Sequence, residues 1–407
     1  MYDVIVVGGG AAGLMAAATA ALYGKNTLII EKNDEVGRKI LITGKGRCNV
    51  TNNCDNETLL KNIVHNSKFM YSALNNFSSA DTISYFENLG VELKTERGNR
   101  VFPVSDKASD IRDSLLENCK NLGVKFIKAA VAQITLQNNS FFEVKTKNDK
   151  LFESSSVIIA TGGITYKKTG SSGDGYVFAE KFGHNIVSPK ASLVALKTEG
   201  DECSKMQGLS LRNTKIKLID KQNGKVVYED MGEMLFTHFG VSGPIVLSAS
   251  AYIDKEPNLY KISLDLKPAL SESQLDSRIR RDFEGLLNKD FSNSLGALLP
   301  KTLIPIIINR SEISPDLKVN QITKEQRKSL ISVIKELDFN IIGTASLDTA
   351  IITRGGVSTK EINPKTMESK LVKGLYFAGE VIDVDACTGG FNLQIAFSTG
   401  YTAGLNA

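Results

Sequence analysis

Three glycines and two acids carry the most specific chemistry in this chain of 407 residues. Gly8, Gly10 and Gly13 form G-x-G-x-x-G directly after the apolar run at residues 4–7. In such a turn the first glycine permits a sharp bend and the second lets backbone approach a pyrophosphate. The third lets the following helix pack closely. Glu31 ends the apolar stretch NTLIIEK, 18 residues beyond Gly13, where a carboxylate is placed to meet a ribose diol. Its charge would repel a 2′-phosphate, so NADP is disfavoured at this turn while NAD and FAD remain. The second acid, Glu380, follows the apolar residues 375–378, and Thr388, Gly389 and Gly390 come next. Residues 391–402 then read as a helix whose free N–H groups would aim at a developing negative charge. A reduced flavin gathers such charge around N1 and C2=O, so this closing segment favours FAD.

Other reactive residues are sparser. Cys48 and Cys54 are spaced C-x5-C. Flavin disulfide reductases use C-x4-C, with both thiols on one helix face, and a partner histidine near the C-terminus; no histidine follows His238. Cys48 is therefore expected as a small residue packed by the ring. His238, in FTHFGVSGP, is a weak candidate for moving a substrate proton, and a structural role competes with it. Asp383 and Asp385 could receive a cationic amine or bond the loop backbone. Arg97 and Arg100 could bind an anion or form surface pairs. GKGR at 44–47 lacks the pattern of a P-loop.

These residues need a scaffold that brings the two ends of the chain together. Residues 1–190 alternate strand and helix patterns and read as the first segment of an α/β dinucleotide domain. KFIKAAVAQITL reads as one strand, and FFEVKTKNDKLFESSSVIIATGG as a hairpin entering a buried strand. GSSGDG suits a loop before a helix near the flavin. Residues 191–268 show β patterning with turn signals, and 269–337 read as a helical subdomain, with Ser271 and Gln274 as a capping box. Residues 338–354 are expected to return through the β part, and 355–407 to complete the dinucleotide domain.

Five cysteines, an odd and scattered set, suit a reducing cytoplasm. The first strand starts at once, leaving no room for a signal peptide, and no apolar stretch is long enough for a membrane span. Three histidines make a histidine-rich metal site unexpected, and no metal is assigned. A formal charge of +4 without a basic run points away from nucleic acid and towards a small-molecule substrate. Oligomeric state leaves no signature here.

The sequence resembles the bacterial NAD(P)/FAD-dependent oxidoreductases that include enzymes named aminoacetone oxidase and 3-oxo-bile-acyl-CoA dehydrogenase. The matching blocks are VGGGAAGLMAA, GRKILITGKGRCNVTN, RVFPVSDKASDI, IIATGG, TGSSGDGYVFAEKFGH, GEMLFTHFGVSGP and GLYFAGEVIDVDACTGGFNLQIAFSTG, which span the chain. The resemblance implies noncovalent FAD in a discontinuous α/β domain of the two-dinucleotide-binding, glutathione-reductase-like kind, with an inserted β-barrel part and a helical part. It places Gly8, Gly10, Ala11, Ala12 and Gly13 at the pyrophosphate, Glu31 at the adenosine ribose and Lys32 beside the adenine. Val131, Thr161 and Gly162 fall in the adenosine half. Arg38, Lys39, Gly44, Gly46, Arg47, Cys48 and Asn49 line the flavin side. Gly379, Glu380, Asn392, Leu393 and Gln394 surround the ribityl chain and the pyrimidine end. The implied activity is hydride transfer between flavin and a small organic substrate. One version reduces or desaturates a bond beside a carbonyl, with NAD(P)H as transient co-substrate; the other oxidises a small amine with oxygen. An RNA-modifying flavoprotein and a flavin-binding regulator are the alternatives of other classes.

Overall fold

The β-branched run at the start of the chain becomes the strand Tyr2–Val7, with Val4, Ile5, Val6 and Val7 all buried. Burial without alternation is what a parallel strand covered on both faces requires. In the computed structural model, which describes residues 1–138 and 140–407, this strand lies within a seven-stranded sheet. Thr27–Glu31 and Leu151–Ile159 flank it in parallel, Lys125–Lys128 extends one side, and Leu375–Phe377 pairs with the end of Leu151–Ile159. The first residues of Leu151–Ile159 pair antiparallel with Phe141–Thr146, which in turn pairs with Val131–Gln137. KFIKAAVAQITL is thus two strands rather than one, and they stand at opposite ends of the strand order. The break falls at Ala129, whose N–H donates to the Glu31 carbonyl before the chain turns away.

Two compact units result, one formed by Met1–Ser192 with Ser346–Ala407 and the other by Leu193–Ala345. In the first, the helix Ala11–Leu22 ends at Gly24, whose φ of +81° suits the left-handed position after a helix. The closing helix Phe391–Asn406 lies directly on Ala11–Leu22. A Cβ on Gly400 would stand 2.5 Å from the Ala12 carbonyl oxygen, and one on Gly404 would collide with the Ala16 carbonyl. Small residues four apart on both helices let the two backbones touch, which joins the ends of the chain. Ile186–Ser192 pairs antiparallel with Ile352–Val357, so the first unit is departed and re-entered at neighbouring positions.

The second unit holds a closed six-stranded barrel: Leu196–Thr198, Gly240–Ser242, Val226–Thr237, Ser210–Asp220, Tyr260–Asp265 and Leu337–Thr344. Thr214, Ile216, Leu218 and Asp220 are buried in strict alternation, the period of a strand with one face inward. The helices Glu272–Glu284, Ile304–Ser311 and Lys324–Lys335 follow, and Ser271 with Gln274 forms the capping box. The stretch expected to return through the β part divides. Leu337–Thr344 closes the barrel, whereas Ile352–Val357 belongs to the first unit. No helix among the described residues is long and apolar enough to cross a membrane.

Candidate cofactor-binding and active site

The opening turn is tight for the reason its spacing suggests. Gly8 has φ +104°, and a Cβ there would stand 2.6 Å from the Ala160 carbonyl oxygen. A Cβ on Gly13 would collide with the Gly8 carbonyl. Gly10 differs, because a Cβ there would meet nothing within 4 Å. Gly10 is also the residue before Ala11, and no side chain caps the helix that starts there. Open space in front of uncapped N–H groups is an anion site. Glu31 stands at its rim: one carboxylate oxygen accepts the Gly9 N–H at 2.7 Å, the other the Asn33 N–H at 2.8 Å and its amide at 2.7 Å.

Around this turn, Lys32 is engaged by Asp174 at 2.6 Å and by the Ser172 hydroxyl, and Arg38 donates to Asn33 at 3.3 Å. Val131 is the buried first residue of its strand. Gly162, with φ +74°, faces the Ser171 hydroxyl, and Gly175 leaves room for the Thr161 hydroxyl, so the GSSGDG loop packs on IIATGG. Gly379, with φ +76°, lies where a Cβ would be 2.7 Å from that of Ala12. The glycine turn and the C-terminal segment therefore share one wall.

Among the residues expected on the flavin side, the Lys39 ammonium bonds Glu380 at 2.5 Å and the Thr165 hydroxyl at 3.1 Å. Glu380 also accepts from the Thr165 hydroxyl at 3.1 Å and from the Thr353 N–H at 2.7 Å. Three of its roughly four acceptor sites are taken by protein. Gly44, Lys45, Gly46 and Cys48 all have positive φ, making a tight loop that buries Cys48 completely. Burial pushes the Cys48 thiol to about 12 and that of Cys54 to about 11, away from the nucleophilic thiolate. Next to Cys48, the Asn49 amide oxygen is buried without a hydrogen-bond partner among the described residues. Arg47 is turned elsewhere: it pairs with Glu96 and with Asp106 at 2.6 Å, and lies 4.2 Å over the Phe102 ring.

Gly390, with φ +102°, precedes the closing helix, and no side chain caps it. Asn392 uses its amide on the loop before it, meeting the Ala386 N–H at 3.0 Å and the Ala386 and Cys387 carbonyls at 2.8 and 3.2 Å. Leu393 is half-buried in the first turn. Gln394 is wholly buried, accepting from Thr51 and Thr82 and donating to the Phe77 carbonyl and Ser398. Its side chain belongs to the core, so only the backbone of this residue is left for a ligand.

His238 is exposed at a barrel hairpin in the second unit, its ring edge-on to Phe239 at 4.9 Å. Arg100 donates to the Arg97 carbonyl and lies 5.9 Å from Phe102. The Asp385 carboxylate is engaged by two side chains. It is fully buried, 2.5 Å from His65 Nδ1, and accepts from the Ser192 hydroxyl at 2.9 Å. No local pattern in the sequence points to His65, which lies in no recognisable block and whose partner is 320 residues away.

The residues present fit a flavin dinucleotide. Open space before the uncapped helix at Gly10 suits a pyrophosphate, the buried Asn49 oxygen suits a donor group, and the uncapped closing helix suits negative charge. The HI0933-like protein Rossmann domain family matches residues 2–406. The chain is 32% identical over 418 residues to the 3-dehydro-bile acid delta(4,6)-reductase of Clostridium scindens, covering 100% of this chain and 99% of that one. It is 34% identical over 407 residues to the ribosomal RNA dihydrouridine synthase of Haemophilus influenzae, covering 99% and 97%. The enzyme of that name from Escherichia coli is 32% identical over 404 residues, covering 98% and 96%.

Proposed function

As the chain belongs to the HI0933-like Rossmann family and is an FAD-dependent oxidoreductase, we propose that it reduces a carbon–carbon double bond conjugated to a carbonyl. The observation that carries this reading is the kind of bond named by its full-length relatives. A 3-dehydro bile acid with delta(4,6) bonds holds its alkenes in line with a ketone, and the 5,6 bond of a uracil is conjugated to its 4-carbonyl. The substrate of the first reading is a small cyclic enone, and the electron source a dihydronicotinamide that visits the same flavin. A second reading, favoured by the two relatives named for ribosomal RNA, places the bond in a uridine. The net charge of +4 does not set this aside, because phosphate contacts depend on where cations stand rather than on their sum.

In this reading Gly8, Gly10, Ala11, Ala12 and Gly13 receive the pyrophosphate, and Glu31 the adenosine ribose. Val131, Thr161 and Gly162 line the adenosine half, with Lys32 closing its edge through Asp174, while Arg38, expected on the flavin side, donates instead to Asn33, which bonds Glu31. Gly44, Gly46, Cys48 and Asn49 flank the ring, and Asn49 offers an acceptor to a ring N–H. Gly379 and Leu393 face the cofactor through backbone, while Glu380, Lys39, Asn392 and Gln394 hold that wall in place. FAD when bound carries the electron pair as hydride. The helix begun by Phe391 stabilises negative charge at the pyrimidine end.

The test is anaerobic. Holoprotein reduced by NADH or NADPH is mixed with 2-cyclohexenone, a 4-ene-3-ketosteroid or unmodified ribosomal RNA, and the flavin band is followed. Recovery of the band, with a product heavier by two hydrogens, is expected from an enone or the RNA. Rapid bleaching by aminoacetone and recovery only with oxygen would instead identify an amine oxidase.

A further inference from the structure

One cation beside the segments assigned to the flavin is left over after the acids around it have been spent. It stands on a small sheet of three strands, Leu93–Glu96, Arg100–Pro103 and Thr51–Asn52. Residues directly opposite on antiparallel strands share a face, as do residues two apart on one strand. Asn52 and Glu96 both lie opposite Arg100, and Lys94 lies opposite Phe102, so all five side chains leave the sheet on one side.

That side meets the expected cofactor walls in two places. The Asn52 amide donates to the Gly389 carbonyl at 3.0 Å, just before the uncapped closing helix, and to the Gly98 carbonyl at 3.0 Å. The Phe102 ring stands 3.3 Å from where a Cβ on Gly44 would be, and Arg47 lies 4.2 Å over the same ring. The loop carrying Gly44, Gly46 and Arg47 therefore rests on the face that carries Arg100.

Charge on this face is unevenly shared. Arg47 engages both oxygens of Glu96, and Asp106 at 2.6 Å, while Lys94 reaches Asp106 at 2.9 Å. The Arg47 bond holds Glu96 below the usual carboxylate range, and the Lys94 and Arg47 bonds do the same for Asp106. Three cations thus stand with two acids. Glu96 is directly across from Arg100, yet no carboxylate among the described residues forms an ion pair with Arg100. Its Nε–H donates to the Arg97 carbonyl at 3.0 Å, which fixes the stem of a half-buried side chain. The two terminal amino groups have no protein partner among the described residues. A planar fork anchored at one edge and open at the other suits an oxygen that gathers negative charge.

We infer that Arg100 is a catalytic residue that binds the substrate's carbonyl oxygen and stabilises the negative charge this oxygen gains during reduction. This rests on the reading of the enzyme as a reductase of carbonyl-conjugated double bonds, and it serves an enone and a uracil alike, since both carry that oxygen. In the reaction the carbon–carbon π bond breaks. The β carbon takes hydride, with both electrons, from the reduced ring. The π electrons move onto the α carbon and the carbonyl oxygen, giving an enolate held by Arg100. Water then protonates the α carbon, and a dihydronicotinamide restores the electron pair.

The experiment has two arms. The first reads binding without turnover. Above neutral pH 4-chlorophenol supplies an aromatic anion whose oxygen mimics that of the enolate, and stacking on an oxidised flavin gives a long-wavelength charge-transfer band. Titrated holoprotein is expected to develop this band, with affinity at least tenfold weaker in Arg100→Met and intermediate in Arg100→Lys. Equal affinity in Arg100→Met, or no band in wild type, would overturn the assignment. In the second arm, reoxidation of the NADH- or NADPH-reduced protein by 2-cyclohexenone, a 4-ene-3-ketosteroid or ribosomal RNA is followed. The rate constant is expected to fall about 100-fold in Arg100→Met, less in Arg100→Lys, and to recover in part when guanidinium is added to Arg100→Ala. Flavin content and melting temperature report whether each variant is folded. If wild type is reoxidised and Arg100→Met reacts as fast, the assignment falls alone. If wild type is reoxidised by none of the three acceptors, the reductase reading falls and the role of Arg100 in reduction with it.

Discussion

Gly10 and Gly13 stand three residues apart in one motif, yet they do opposite things. Gly13 is tight because a Cβ would strike the Gly8 carbonyl, whereas Gly10 faces open space with a φ of −82° that any residue accepts. Gly13→Ala is expected to destabilise the protein by roughly 1–3 kcal/mol, since backbone must shift to admit the methyl group. Gly10→Ala should leave the melting temperature of the flavin-free protein unchanged and weaken FAD at least tenfold, about 1.4 kcal/mol. Spectrophotometric FAD titration beside thermal melts checks both, and undiminished affinity in Gly10→Ala would mean that the pyrophosphate lies elsewhere. The motif was fully legible in sequence. Arg47 and Gln394 were not, because side-chain direction is set by distant partners: Glu96, Asp106 and Phe102 for one, Thr51, Thr82 and Phe77 for the other.

At the scale of elements, the contact between the first and last helices is the joint on which the cofactor domain depends. Gly404→Val would force its side chain into the Ala16 carbonyl. A loss of roughly 2–4 kcal/mol is expected, at the upper end for overpacking because backbone rather than a flexible side chain must move. That is a fall of several degrees in melting temperature for a unit of this size. A separate clasp joins Phe182–His184 to the segment before Leu375–Phe377. His184 is buried, bonds the Ser369 hydroxyl at 2.8 Å, and lies 3.3 Å from Glu361 with Nδ1 not aligned for a hydrogen bond. Burial outweighs Glu361 and holds the His184 ring below its usual range. As pH falls the unfolded chain therefore takes up this proton first. The contribution of the neutral ring is complete above about pH 6.5 and is lost as the pH drops from there through the folded value. Denaturant melts between pH 7 and 5 should show a smaller loss in His184→Gln than in wild type. An equal loss would remove His184 from the account.

At the scale of the whole molecule, each unit has its own core. The barrel and its helices share one apolar cluster, from Leu196 through Phe236, Leu264 and Phe291 to Ile341, contained within Leu193–Ala345. That segment expressed alone is expected to fold cooperatively, with a mixed α/β circular dichroism spectrum. Because Ser192 pairs with Ile352, joining residue 192 to 346 through a short Gly/Ser linker should yield a yellow protein that retains FAD. A colourless product would show that the first unit needs the second. The sequence by itself determined the cofactor turn, the alternation of strands and helices, the inserted β and helical parts, and the need for both ends of the chain to meet. Those features are written in local spacing: period two, period 3.6, and glycines wherever a side chain cannot fit. Only the tertiary structure decided that one apparent strand is two, that Glu380 is bound mainly by protein, and that His65 meets Asp385. Each of those depends on which residues far apart in the chain share a hydrogen bond, and no local pattern encodes that.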